Sequence, residues 1–275
     1  MIGACVMFAG MATCIVLAHR ADPLLSPWWT SLSRALVNGV SVAAIAGFDP
    51  VVLRGDGRRS LWVRGMIGGI GMVAYLTAIH RTSAGEAAFL SQTGMIWVLV
   101  ASPWVVGEWP ARRAWVAVAG SLVGVALLAW PRDALGDGLG RMLGLVAGLT
   151  TAGANLSIRV ASRSNGPTTI VWYFTAVATV VSAVGVVASR APWPAGVSVW
   201  VWMAGAGVCA TVAQLQMTQA FREGDASLVT AAGASSPLFT AIAGAVLLGQ
   251  RPDREGVAGM AILVVTGLVL PFARR

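Results

Sequence analysis

A chain of 275 residues that is 57% hydrophobic and only 11% charged lies far from soluble domains, which are roughly one-quarter charged. With that much apolar surface a soluble protein would precipitate, so composition points to a polytopic membrane protein. The net charge of +8 does not mark a nucleic-acid binder: the arginines stand singly or in pairs at the ends of apolar runs, as membrane-helix flanks do, whereas phosphate binding needs clustered charge.

A membrane span needs about 20 apolar residues. On that measure the chain reads as ten helices, at about 2–18, 28–48, 61–79, 84–106, 112–130, 141–160, 168–189, 198–220, 226–248 and 255–272. The first run starts at Met1 with no basic stretch before it and no small-residue cleavage site after it, so it reads as a membrane helix rather than a signal peptide. Cys5, Cys14 and Cys209 fall inside apolar runs without metal-ligand or redox spacing and read as small packing residues. The longest connection, Asp49 to Ser60, holds no soluble domain. All nineteen basic residues are arginine; placing both termini in the cytoplasm puts eleven of them on the inner side and seven on the outer, with Arg34 inside a helix. That modest excess sets the orientation.

One polar corner occurs twice. Gly107-Glu108-Trp109-Pro110-Ala111-Arg112 is echoed 142 residues later by Gly249-Gln250-Arg251-Pro252-Asp253-Arg254. The glycines suit the close of one helix and the prolines the first turn of the next. Each corner therefore joins two helices at a membrane surface. The ten spans divide five plus five at the loop 131–140, giving repeats 1–131 and 141–272. An odd number of spans turns the second repeat upside down relative to the first. The fold class is thus an all-α polytopic membrane protein, a 5+5 inverted repeat, and such repeats place a substrate site near the midplane between the halves. Gly120-xxx-Gly124, Gly140-xxx-Gly144-xxx-Gly148 and the glycines at 65, 68, 69 and 71 are the small residues that close helix packing in lipid uses.

Residues Ala78 to Gly124, with Gly107-Glu108 leading into the fifth helix, resemble the first EamA repeat of the drug/metabolite transporter superfamily, and Ser235-Ser236-Pro237-Leu238-Phe239-Thr240 resembles the second. Ser33-Arg34-Ala35-Leu36 is similar to the family's arginine-bearing segment in the second span. Two positions depart from the pattern: Met95 stands where Pro237 has its counterpart, and Gln250 replaces the usual glutamate. The resemblance implies a secondary transporter of small metabolites in the cytoplasmic membrane, of the ten-helix type that exports amino acids.

Two ionisable residues lie inside apolar runs. Arg34 sits about seven residues into the second span and Glu86 near the start of the fourth. A charge at that depth costs about 2.5–3.5 kcal/mol and requires a partner or a wet cavity. Two roles are open for the pair: a charge pair or zwitterion clamp, with Glu86 also the candidate carrier of a coupling proton, or structural duty, Arg34 tying helix ends and Glu86 capping its helix. Gln92, Asn155, Gln214 and Thr218 sit well inside their spans; Gln214 and Thr218, one turn apart, share a face. Buried amides must bond across helices or line water. Most of the twelve tryptophans lie near span ends as an aromatic belt. Trp97 is mid-span, with Tyr75 and Trp172 at intermediate depth; these three either face the cavity or pack.

An enzyme is disfavoured. His19 and His80 lie at the outer rim, no acid or cysteine cluster has ligand spacing, and no phosphate loop with lysine exists. No cofactor or metal is expected. The expected partners are a small-molecule substrate and the lipid bilayer, with the proton as candidate coupling ion and no nucleic acid. Amino-acid efflux by alternating access is the leading reading. The alternatives are an exporter of organic cations or drug-like amphiphiles and a membrane scaffold or sensor without transport. Exchange of phosphorylated sugars is disfavoured because the interior offers one arginine and no lysine.

Overall fold

The computed structural model describes residues 1–57, 59–82, 84–129, 138–249 and 254–269. These form α1 (Ile2–Ala21), α2 (Pro27–Ile45), α3 (Pro50–Arg54), α4 (Arg59–Arg81), α5 (Ala84–Gln92), α6 (Gly94–Val105), α7 (Arg112–Ala129), α8 (Gly138–Ala161), α9 (Pro167–Ala188), α10 (Val197–Glu223), α11 (Ala226–Gly233), α12 (Ser236–Leu248) and α13 (Arg254–Leu263), which runs into a π-helical stretch, Val264–Val269. No strand occurs among the described residues. Seven stretches are long and apolar enough to cross a membrane: Ile2–Ala21, Arg59–Ala78, Glu86–Val105, Gly138–Ala161, Pro167–Ala188, Val197–Glu223 and Ala226–Leu248. The helix α2 is not among them, because it carries Thr30, Ser31, Ser33, Arg34 and Asn38. Trp130, the 131–137 part of the expected inter-repeat loop, Gln250 to Asp253 of the second corner, Arg274 and Arg275 lie outside the described residues, as does the side chain of His80.

Local chemistry sets the boundaries. Ser26 caps α2, accepting from the Trp28 amide at 3.3 Å, with Pro27 in the first turn. Asp49 caps α3 in the same way through Val51, at 2.8 Å. At both corners the glycine adopts a left-handed conformation, φ 78° at Gly107 and 69° at Gly249, which a side chain would strain. Each glycine amide reaches back five residues, Gly107 to the Ser102 carbonyl and Gly249 to that of Gly244, closing the helix end. Pro110 is not in the first turn of the next helix as the sequence suggests; α7 begins at Arg112, and the Ala114 amide bonds the Ala111 carbonyl at 2.9 Å.

Two stretches expected as single helices are each broken. The 84–106 stretch divides at Thr93 and the 226–248 stretch at Ser235, again 142 residues apart. The chemistry of the breaks matches. The Thr93 hydroxyl donates to the Leu90 carbonyl at 2.6 Å and the Ser235 hydroxyl to that of Ala232 at 2.7 Å, and the amides bond the same carbonyls. A hydroxyl that competes for a carbonyl of the previous turn tightens the helix locally. Pro103, inside α6, leaves the Leu99 carbonyl without its amide donor, and the Ser102 hydroxyl supplies one at 3.3 Å.

The strongest packing pairs α4 with α8, α1 with α10, α2 with α9 and α7 with α13, each joining a helix from the first half of the chain to one from the second. Glycines set the closest seams. A Cβ on Gly94 would run into the Gly148 carbonyl, and one on Gly124 would lie 3.0 Å from the Gly259 carbonyl. The expected small-residue motifs are therefore contact lines between halves.

Candidate functional site

A cavity of about 750 Å³ lies between these paired helices, within the size range of small-molecule sites. Helices α1, α2, α4 and α5 supply one side of it, and α8, α9 and α10 the other. It extends from the end of the bundle marked by His19, Pro27 and Leu76 down to Phe8, Arg64, Asn155, Phe174, Gln214 and Met217. Below that floor a buried apolar cluster containing Leu61, Ile158, Ile170 and Phe221 fills the bundle.

Of the residues singled out in the sequence, Arg34, Tyr75, Asn155 and Gln214 line the cavity. Trp97, Gln92, Thr218 and Trp172 do not. Trp97 is 44% exposed on the outer face of α6. Gln92 ends α5 next to the lining residue Ser91, and one residue is a rotation of about 100°. Thr218 is packed inside with its hydroxyl unpartnered. Trp172 packs against the apolar cluster, while Phe174, two residues on, faces the cavity. Glu86 does not pair with Arg34. It is buried at the start of α5 and accepts from Arg141 Nε of α8 at 2.7 Å.

Arg64 is the residue the sequence misplaces. Its position near the start of α4 suggests an inner-surface flank, yet it is only 4% exposed and lines the cavity floor. Its guanidinium lies 4.4 Å above the Phe174 ring centre, a cation–π contact, and donates to Gln214 Oε1 at the long distance of 3.5 Å, while Nε has no partner. Gly68, one turn on, leaves the room this guanidinium occupies. Arg34 is held no better: Nη1 and Nη2 approach the sulfurs of Met11 and Met72 at 3.7 Å each, and thioethers are weak acceptors. The interior thus offers two arginines, which removes the ground for disfavouring phosphorylated substrates. No carboxylate lines the cavity among the described residues.

At the end of the bundle away from the His19 rim, a charged network ties the helix ends together. Glu108, from the first corner, accepts Arg159 Nε of α8 at 2.7 Å on one oxygen and the Ala226 amide of α11 at 2.8 Å on the other. Arg159 Nη1 also donates to the carbonyls of Phe221 and Arg222, at 3.2 and 2.7 Å. Arg163 donates to the Val106 carbonyl at 2.9 Å. Tyr173 and Thr169 bond the Arg54 and Val52 carbonyls. One carboxylate therefore ties three elements together beneath the cavity.

The model of the EamA-like transporter family matches residues 1–130 and again 138–272. A pseudopaline exporter, CntI, of Pseudomonas aeruginosa is 28% identical over 225 residues, 82% of this chain and 79% of its own length. An uncharacterized transporter of Helicobacter pylori is 21% identical over 263 residues, 93% of this chain and 87% of its own. A solved crystal structure superposes with a TM-score of 0.82 at 19% identity, covering 99% of this chain and 98% of that one, a likeness of fold alone.

Proposed function

Because this chain belongs to the EamA-like transporter family, a multi-pass membrane family, we propose that it exports small carboxylate-bearing metabolites, amino acids among them, by alternating access. The observation that carries the reading is the asymmetry of the bundle. A cavity lined by helices from both halves reaches toward one end, while the other end is shut by an apolar plug and the Glu108–Arg159 network. This is the arrangement of a carrier caught facing one way. With both termini in the cytoplasm, as the arginine bias favours, the cavity faces outward and the latch is cytoplasmic.

We further read the chain as ten spans in two inverted sets of five. The corners at Gly107 and Gly249 and the breaks at Thr93 and Ser235, all related by one offset, support this. Two arginines and no lining carboxylate among the described residues argue against organic cations, and the similarity to a pseudopaline exporter supports metabolite export over a scaffold. Glu86, paired with Arg141 away from the cavity lining, fits structural duty better than proton carriage. The test is counterflow of labelled amino acids and organic anions in proteoliposomes. Saturable flux above protein-free liposomes is expected; no flux of any solute through correctly folded protein refutes transport.

A further inference from the structure

Resting on the reading of this cavity as the transport site, we infer that it selects a dianion, a solute bearing two carboxylates or a phosphate, with Arg64 as a second anion anchor beside Arg34. Arg64 is 4% exposed, inside the helix bundle at the cavity floor. A guanidinium offers five N–H donors. Arg64 uses one of them, at 3.5 Å, on an amide oxygen, and its Nε points at nothing. Arg34 finds only two sulfurs.

Both arginines stand without an ion pair among the described residues, whereas elsewhere in the same bundle Arg141 and Arg159 each hold a carboxylate at 2.7 Å. The fold therefore pairs partly exposed arginines toward its ends and leaves these two, which line the cavity, unneutralised. Keeping one cation in an apolar bundle is costly and keeping two is costlier, so the missing acceptors are water and substrate.

The two guanidiniums share one neighbourhood. A small crevice behind Arg34 is lined by Phe174 and Gln214, the same two side chains that contact Arg64. Two planar forks flank one ring and one amide, each matching a carboxylate edge or two phosphate oxygens. Above them the walls are mainly apolar, with Met11, Ile15, Met72 and Leu76, interrupted by Thr30, Ser31 and Tyr75. A single carboxylate leaves one fork empty. A zwitterion's ammonium finds no lining carboxylate among the described residues, so among amino acids the site favours those that carry a second carboxylate. Two negative charges on a small, partly apolar frame satisfy both forks.

Equilibrium binding to the detergent-purified full chain decides this, with glutarate, butyrate, inorganic phosphate and tetraethylammonium as probes and thermal shift as readout. Glutarate is expected to bind at least about 10-fold tighter than butyrate, and Arg64→Gln to weaken glutarate about 10- to 100-fold while changing butyrate less than about threefold, since each charge-assisted contact is worth that much. Arg64→Lys keeps the charge without the fork and is expected to retain the preference at lower affinity, which serves if the glutamine variant does not fold. Phosphate binding that depends on Arg64 and exceeds glutarate binding identifies a phosphate as the dianion; the reverse order identifies a dicarboxylate. Equal affinity for glutarate and butyrate, stronger binding of tetraethylammonium, or equal losses for glutarate and butyrate in Arg64→Gln overturns the inference. Flux of solutes without this preference retracts the dianion and leaves transport standing. The preference in binding without flux of any solute retracts transport and leaves the anion site standing.

Discussion

If the Glu108–Arg159 network is the latch of the closed end, weakening it shifts the conformational equilibrium without touching the cavity. Glu108→Gln keeps the size of the side chain but leaves one acceptor oxygen for two donors, so of the bonds with Arg159 at 2.7 Å and the Ala226 amide at 2.8 Å one is lost and the other loses its charge. Hydrogen bonds to charged groups are worth about 1 kcal/mol more than neutral ones. Arg159 and Glu108 are only 24% and 20% exposed, so solvent screening is incomplete, and the loss is at least about 2 kcal/mol, a shift of roughly 30-fold or more toward the state open at that end. A reporter is at hand in Thr218, buried near the latch with an unpartnered hydroxyl. In a background lacking Cys5, Cys14 and Cys209, Thr218→Cys labels slowly with a membrane-impermeant thiol reagent applied from the latch side, and Glu108→Gln raises that rate by one order of magnitude or more. A rate unchanged within twofold, in protein with the parent's melting behaviour, refutes the latch.

Gly94→Ala places a methyl against the Gly148 carbonyl; overpacking of this kind costs about 1–3 kcal/mol and lowers the apparent melting temperature in detergent by several degrees. Trp97→Leu, on the exposed face of α6, leaves flux and KM within about twofold in proteoliposomes. Phe174→Leu removes the ring beneath Arg64, a contact worth about 1 kcal/mol, and raises KM several-fold in the same assay. Glu86→Gln breaks the pair with Arg141, but Arg141 is 39% exposed and such pairs are worth at most about 1 kcal/mol. It therefore lowers stability slightly and leaves flux between pH 5.5 and 8 with the parent's pH dependence, and a lost pH-dependent component would reinstate Glu86 as a proton carrier.

Sequence alone determined the class, the helical nature and the rhythm of this chain. Twenty-residue apolar runs have one comfortable solvent, and inside lipid only helices or closed barrels satisfy the backbone. The corner glycines were legible because a left-handed residue selects for glycine, and the 142-residue echo because turn chemistry repeats where turns repeat. Composition was equally able to show that interior polar groups needed partners, and Arg34, Tyr75, Asn155 and Gln214 do face the cavity.

Tertiary structure decided which way each helix turns. In a nearly uniform apolar helix, polarity does not mark the inward face, and each residue rotates the view by about 100°. Trp172 and Phe174 thereby exchange roles, and Gln92 gives way to Ser91. Arg64 looked like a flank because it follows the basic loop ending at Arg59 by one turn or so. Only the packing of α4 against α8 and α9 turns it inward over Phe174. Glu108 looked like turn chemistry, and only the approach of α8 and α11, from the far half of the chain, makes its carboxylate a latch. Length and solvent set where helices begin and end; the partner across the bundle sets what each side chain meets.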